Sequence, residues 1–364
     1  MTLPIVLAIA AIGAANVVYL IWYFRWESRQ TSGVAYYGRT LNDRRALKRR
    51  IRLFSLPALP LVRLLSLAAR RQTSLPGFEF EGVYGPMKAS TPEVFAKARR
   101  YAPTAQDVFV ATQMRCGTTW MQQIVYEVVM HAEGKLGDHH MYALSPWIES
   151  EDSVRMEDAP LLGPSRRRVI KTHMPTKLLP YSKDAKYVYV TRNPVACFAS
   201  TIDYFELMSG PFVPPKSEVL KWFCSDQMWW LSWPDHVAGW WDWAQEHPEN
   251  VLFVHFEEMK KDLDGTVRKV AKLLGESLTE EQIRRIVEKS SFQWMKDNEE
   301  LFEMSPPNMF SISGTYFKSG TADRDKDVSD ADKQVILAHC RAKLQGRRYP
   351  GPTFYPGLAD LAAK

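Results

Sequence analysis

The stretch DVFVATQMRCGTTWMQQIVYEV, residues 107–128, runs from a short apolar segment through the loop QMRCG into a helical pattern. That succession recurs. Strand patterns at 107–112, 168–172, 186–191 and 251–256 alternate with helical patterns at 118–131, 194–204, 259–274 and 279–290. The strands are apolar almost without interruption, as strands covered on both faces must be. Strand–helix alternation predicts parallel strands joined by crossover helices: an α/β fold with a P-loop-like, doubly wound parallel sheet flanked by helices. Ligands of such sheets bind beyond the C-terminal strand ends. No internal repeat interrupts the pattern, and residues 211–215 and 296–326 read as loops long enough to act as lids.

The chemistry concentrates at those strand ends. The loop before Thr118 puts free backbone N–H groups and the positive end of a helix dipole where an anion binds. Gly117 permits close backbone approach, Thr118 and Thr119 add hydroxyls, and Arg115 adds a planar fork suited to oxyanions. The Gly-x-x-x-x-Gly-Lys spacing of nucleotide-binding P-loops is missing. In RRVIKTHMP, Lys171 and His173 lie two apart, on one side of a strand and facing the predicted cleft. Histidine there takes a proton from an acceptor, and lysine stabilises developing charge. Taken alone, Lys-x-His more often marks a surface histidine. In YVYVTRNPVACFAS, Arg192 ends a strand and Ser200 lies two turns into a Pro-initiated helix, so the two need not face the same way. This is a second anion site or a solvated arginine.

Charge and hydropathy narrow the setting. A formal charge of +6 and pI ≈ 9.0 suit an anionic cofactor or a membrane surface. No zinc-finger, RRM-like or basic-zipper pattern is present, so no nucleic-acid partner is expected. The four cysteines form no CxxC, and Cys116 sits inside the phosphate loop, which points to a reducing compartment. No coherent metal-ligand cluster is visible.

Residues 3–24 carry no charge, about the length that crosses a bilayer as a helix. Tyr19, Trp22 and Tyr23 gather at the C-terminal end, where headgroups favour amphipathic rings. No basic segment precedes the run, which favours one transmembrane anchor over a cleaved leader. Arginines and lysines crowd residues 25–52, so the positive-inside rule keeps that flank, and the catalytic domain, cytoplasmic. Residues 53–71 are apolar and basic; lying on the anionic leaflet and packing on the catalytic domain are equally consistent with them. The expected division is an anchor at 1–24, a basic amphipathic juxtamembrane segment at 25–75 and a catalytic domain at 76–350.

Together these segments resemble the cytosolic-type sulfotransferases, which use 3′-phosphoadenosine 5′-phosphosulfate (PAPS). The family loop Thr-Tyr-Pro-Lys-Ser-Gly-Thr-Thr-Trp corresponds to Thr112 through Trp120. The resemblance implies that Arg115, Cys116, Gly117, Thr118 and Thr119 grip the 5′-phosphosulfate. Arg115 stands for the family's lysine, so its help to the leaving group would be electrostatic. Lys171-Thr172-His173 matches Lys-Thr/Ser-His, whose histidine is the base, and Arg192 with Ser200 matches the 3′-phosphate clamp. Phe256 takes the place of an adenine-contacting tyrosine. SSFQWM implies adenine contacts from Ser291, Phe292 and Met295, with Trp120 and Phe292 sandwiching the base. FKSGTADRDK keeps only Lys318 and Gly320 of Arg-Lys-Gly-x-x-Gly-Asp-Trp-Lys, so weaker 3′-phosphate clamping is expected. The familiar C-terminal dimerisation motif is not visible. The implied activity is metal-free transfer of a sulfuryl group to a hydroxyl or amine of a small or lipophilic acceptor. A P-loop-type kinase and a non-catalytic, membrane-tethered PAPS binder are the alternatives.

Overall fold

The computed structural model describes residues 3–69, 75–87, 89–303, 306–311, 315–318 and 324–359. Strands β1 (Gly77–Phe80) and β2 (Val83–Pro86) form an antiparallel hairpin. Strands β3 (Asp107–Thr112), β4 (Arg168–Thr172), β5 (Lys186–Thr191) and β6 (Val251–His255) make a wholly parallel sheet in the order β4-β3-β5-β6. From β3 the chain moves outward to β4, whereas from β5 it moves outward to β6 on the other side. The connections therefore diverge between β3 and β5, which makes their C-terminal ends the switch point where a doubly wound sheet opens a crevice.

Period-two alternation splits the strand residues between two cores. Val108, Val110, Val169, Val188, Val190 and Val254 face one side, beneath the helices Thr118–Val129, Leu263–Leu274 and Glu280–Lys289. Phe109, Ala111, Ile170, Tyr187 and Tyr189 face the other, with the helices Pro194–Ser209 and Trp233–Glu246. Ring stacking orders this second core: Phe109 on Tyr187 at 5.0 Å and 9°, Tyr189 on Trp240 at 5.0 Å and 11°. Most tryptophans of the 222–241 stretch are core residues, with Trp233 and Trp240 almost wholly buried.

Helix boundaries shift from the sequence pattern for local reasons. The first crossover helix stops at Val129 because His131 and Ala132 take φ values of 52° and 64°. The 259–274 pattern divides into the helices Phe256–Lys261 and Leu263–Leu274 at Asp262, whose carboxylate accepts from Gly265 N at 2.8 Å and caps the second piece. Phe256 thus starts a helix instead of ending β6. Thr279 and Gln282 form a reciprocal capping box ahead of Glu280–Lys289.

The N-terminal helix spans Leu3–Thr31, so it continues past residue 24 without a break. Its outer half is exposed and apolar; near its C-terminal end Tyr23 is fully buried, beside Leu20 and Met309. The helices Gly33–Tyr37, Leu41–Ser55 and Leu59–Ala69 follow. Residues 70 and 71 lie outside the described residues. Within 53–69 one side packs through Ala58 and Val62, while Leu53, Leu56, Leu64, Leu65 and Leu67 are exposed. Arg44, Arg45 and Lys48 are tied to the chain around Glu300 and Glu303. Arg49, Arg50, Arg52 and Arg63 are exposed and make no ion pair among the described residues.

Candidate active site

The loop between β3 and the helix Thr118–Val129 turns on two left-handed residues, Arg115 at φ 64° and Gly117 at φ 108°. A non-glycine residue in that region is strained, and such strain gathers at working sites. At Gly117 a Cβ would meet Phe256 at 2.9 Å. The loop borders a cleft of about 370 Å³ at the switch point, within the range of small-molecule sites. Its walls bring together Arg115, Gly117, Thr118, Thr119 and Trp120 from the first loop with Arg192 and Ser200 from the second. Phe256, Ser291, Phe292, Met295 and Lys318 complete the set.

Arg115 is held in place: Nε donates to Ser200 Oγ at 3.2 Å, Nη1 donates to the Tyr316 hydroxyl at 2.6 Å, and the guanidinium lies over the Tyr204 ring at 5.1 Å. Arg192 is 6% exposed and sits 4.5 Å over the Phe256 ring. Its burial rules out the solvated arginine, and it shares one cleft with Arg115. Trp120 Nε1 donates to Ser290 O at 2.7 Å, and its ring meets Phe256 edge-on at 5.3 Å. Ser291 caps the helix Phe292–Asp297 by accepting from Trp294 N.

Three expected residues need separate comment. Cys116 is fully buried behind the loop, its Sγ 3.7 Å from Cys197 Sγ, and does not line the cleft. Gly320 lies outside the described residues. Lys318 lines the cleft while paired with Asp203 at 2.9 Å.

Lys171 and His173 do not line the cleft either; both are buried one layer behind it. His173 Nδ1 donates to Thr112 O at 2.9 Å. Thr112 Oγ1 lies 2.6 Å from Thr118 Oγ1, so a single hydroxyl pair separates the imidazole from the cleft wall. The ring packs against Trp147 and Trp230, with Trp230 and Leu231 both at positive φ. Burial, reinforced by the nearby Lys171 charge, pushes the His173 pKa well below 6.5 and keeps the ring neutral. With Nδ1 protonated, Nε2 carries the lone pair. The surface-histidine reading fails.

Lys171 Nζ donates to the Tyr142 hydroxyl at 2.7 Å and lies 3.4 Å from the Trp147 ring centre. Burial pulls its pKa from 10.5 down to about 7. Glu149, fully buried with its carboxyl pushed up by burial, accepts from His173 N at 2.5 Å and Thr172 Oγ1 at 2.9 Å. It fixes the end of β4. Glu149, Tyr142, Asp203, Tyr316 and Arg324 escaped the sequence reading: the first four belong to no quoted motif, Arg324 lies in FKSGTADRDK without matching the family pattern, and each meets the site through distant chain.

A family model described as the sulfotransferase domain matches residues 105–347. The chain belongs to the sulfotransferase family. Among curated relatives, sulfotransferase 1C2 of Oryctolagus cuniculus is 29% identical over 294 residues, covering 78% of this chain and 96% of the relative. Sulfotransferase 2A1 of Homo sapiens is 32% identical over 243 residues, covering 64% and 80% respectively. Among solved structures, retinol dehydratase in complex with androsterone and the inactive cofactor PAP aligns with a TM-score of 0.57 at 21% identity, over 74% of this chain and 89% of that one. A mouse sulfotransferase complexed with PAP gives 0.55 at 22%, over 75% and 95%. The expectation of a PAPS-dependent sulfotransferase on a parallel α/β sheet is borne out, and the kinase alternative falls. For this sulfotransferase, one N-terminal helix has the length and apolarity to cross a membrane.

Proposed function

We propose that this sulfotransferase transfers a sulfuryl group from PAPS to the hydroxyl or amine of a lipophilic acceptor, with His173 as general base and a single-pass anchor holding the catalytic domain at the cytoplasmic face of a membrane. The observation that carries the reading is the convergence at one switch point of two strand-end arginines, a helix N-terminus and an aromatic wall, with a neutral histidine one layer behind. The cleft fits a bisphosphorylated adenosine. Among the described residues, five cationic side chains face a single acid in its wall, and Phe256 leaves Gly117 no room for a side chain, so the loop presents bare backbone.

When bound, PAPS supplies a sulfuryl group activated by its bridge to phosphate. Arg115, Thr118, Thr119 and the backbone around Gly117 would hold the 5′ end, where charge builds as the bridge breaks. Arg192, Ser200 and Lys318 would hold the 3′-phosphate. Trp120 and Phe292, with Phe256, Ser291 and Met295, would bound the adenine. Cys116 supports the loop from behind. His173 accepts the acceptor's proton at Nε2 while Thr112 fixes its tautomer, and Lys171 offsets charge beside it. Trp147 and Trp230 cover His173, so acceptor access displaces them.

Two features support the anchor. Glu27 accepts from Met309 N at 3.1 Å and from the Tyr23 hydroxyl at 2.7 Å, so this helix is integrated with the folded domain as a discarded leader would not be. The exposed leucines of residues 53–67, and the exposed arginines of 49–63 that make no ion pair among the described residues, continue the apolar, basic face toward the anionic leaflet. A lipophilic acceptor follows from that location, and two structural neighbours hold androsterone or retinol.

Replacing the base tests the reading. His173→Ala is expected to lower turnover by at least about 100-fold while affinity for adenosine 3′,5′-bisphosphate (PAP) stays within about twofold. Undiminished turnover sinks the assignment.

A further inference from the structure

We infer that Arg324 is a specificity-determining residue of the donor site, supplying the second cation of the 3′-phosphate clamp that the sequence around Lys318 has lost. The inference rests on the placement of the 3′-phosphate beside Ser200 and Arg192 given above. Where the resembling family carries an Arg-Lys pair, this chain has Lys318 followed by Ser319, so one charge is gone. Arg324 belongs to no motif position, yet its side chain lines the same cleft.

Its placement is defined by the helix Pro194–Ser209. Asp203 lies three residues beyond Ser200, one turn along the same face, and both line the cleft. Arg324 Nη1 donates to Asp203 Oδ2, and Arg324 Nε donates to Asp327 Oδ2 at 2.9 Å. Lys318 Nζ reaches the other Asp203 oxygen at 2.9 Å. One carboxylate thus gathers two cations, from the described segments 315–318 and 324–327, onto the wall that carries Ser200.

Their bonds leave capacity for a phosphate. Arg324 uses Nε and Nη1, and Nη2 makes no hydrogen bond among the described residues. Guanidinium offers five donors in a rigid fork and can bridge two oxyanions. Asp203 is the only acid among the described cleft-lining residues, against Arg115, Arg192, Lys260, Lys318 and Arg324. A dianion entering beside Ser200 offsets half of that excess of four charges, with Asp203 keeping Arg324 and Lys318 poised between two anions.

Calorimetric titration of the full-length protein in detergent with PAP and with adenosine 5′-phosphate, which differ only by the 3′-phosphate, tests the inference. Wild type should bind PAP much more tightly. Arg324→Ala should lose about 10- to 100-fold in PAP affinity, the worth of a charge-assisted phosphate bond, while its affinity for adenosine 5′-phosphate changes less than about twofold. Arg324→Lys should recover most of the loss. If Arg324→Ala weakens both nucleotides alike, Arg324 merely latches the loop; if it keeps the full preference for PAP, the cation lies elsewhere. Either result overturns the inference. A wild-type protein with no preference for PAP would instead overturn the underlying placement of the 3′-phosphate.

Discussion

Replacing Lys171 by methionine should change how the stability of this protein depends on pH. Nζ is buried between the Tyr142 hydroxyl and the Trp147 ring, and its pKa falls from 10.5 to about 7 through burial, opposed by the charges of Glu149 and Asp152. In the unfolded chain the ammonium keeps its ordinary pKa of about 10.4. Below about pH 7 both states are protonated, and the fold carries the full cost of a buried charge, roughly 5 kcal/mol for a shift of this size. Between about pH 7 and 10 the unfolded chain holds a proton that the folded chain has released. Stability therefore rises with pH through this window, by about 1.4 kcal/mol per unit. Lys171→Met removes this titration and also the charge that holds the Glu149 carboxyl down against its burial, so Glu149 moves further up in the variant, which likewise shrinks the variant's advantage as pH rises. Urea unfolding of the two full-length proteins in the same detergent at about pH 7, 8 and 9 should show the variant ahead at neutral pH. Its advantage should shrink by roughly 3 kcal/mol over the two units. A constant difference would mean that Nζ keeps its proton in the fold, and the burial argument would fail.

Two further outcomes are expected. Gly117→Ala forces a side chain into a φ of 108° and onto Phe256 at 2.9 Å; it should lower stability by about 1–3 kcal/mol and weaken PAP binding, read by thermal melting with and without the nucleotide. Loss of neither would mean that the loop and Phe256 can move apart freely. Alkaline carbonate extraction of cell membranes should leave the full-length protein in the pellet if the helix Leu3–Thr31 spans the bilayer, and recovery in the supernatant would refute the span.

What could be read from the residues is whatever short-range physics determines. The four strands of the sheet carry apolar residues on both faces, so their positions were visible, and the switch point follows once their order is known. Arg115, Gly117 and Trp120 sit within one strand–loop–helix unit, so their company was legible too. The breaks at Asp262 and at residues 131 and 132 depend on a side-chain cap and on left-handed backbone, which hydrophobic period does not reveal. The meeting of Arg192 with Arg115 was implied by the family resemblance alone, because deriving it from the residues requires the strand order. The depth of Lys171 and His173 was missed because Trp147 and Trp230 arrive from remote chain to cover them. Asp203 and Arg324 are ordinary surface types in sequence, and only the tertiary fold turns them toward the cleft.

The N-terminal helices and the donor cleft both contact described parts of the chain between residues 299 and 318. Tyr36 donates to Glu303 at 2.6 Å, Lys48 pairs with the same carboxylate, and Arg44 donates to Glu300 O at 3.3 Å. A few residues on, Met309 N binds Glu27 of the long N-terminal helix, and Phe310 packs against Phe212. Tyr316 and Lys318, in the next described segment, reach Arg115 and Asp203 in the cleft. The expected boundary between anchor, juxtamembrane segment and catalytic domain therefore cuts across a shared structure. Tyr36 is fully buried and Arg44 is 1% exposed, so removing residues 1–75 would strip cover from buried polar groups and from the chain that delivers Tyr316 and Lys318. Leaving such groups without partners costs more than the bonds themselves contributed. Among the described residues, the N-terminal helices line no part of the cleft; they brace the chain around residues 299–311, next to the segment whose Tyr316 and Lys318 do.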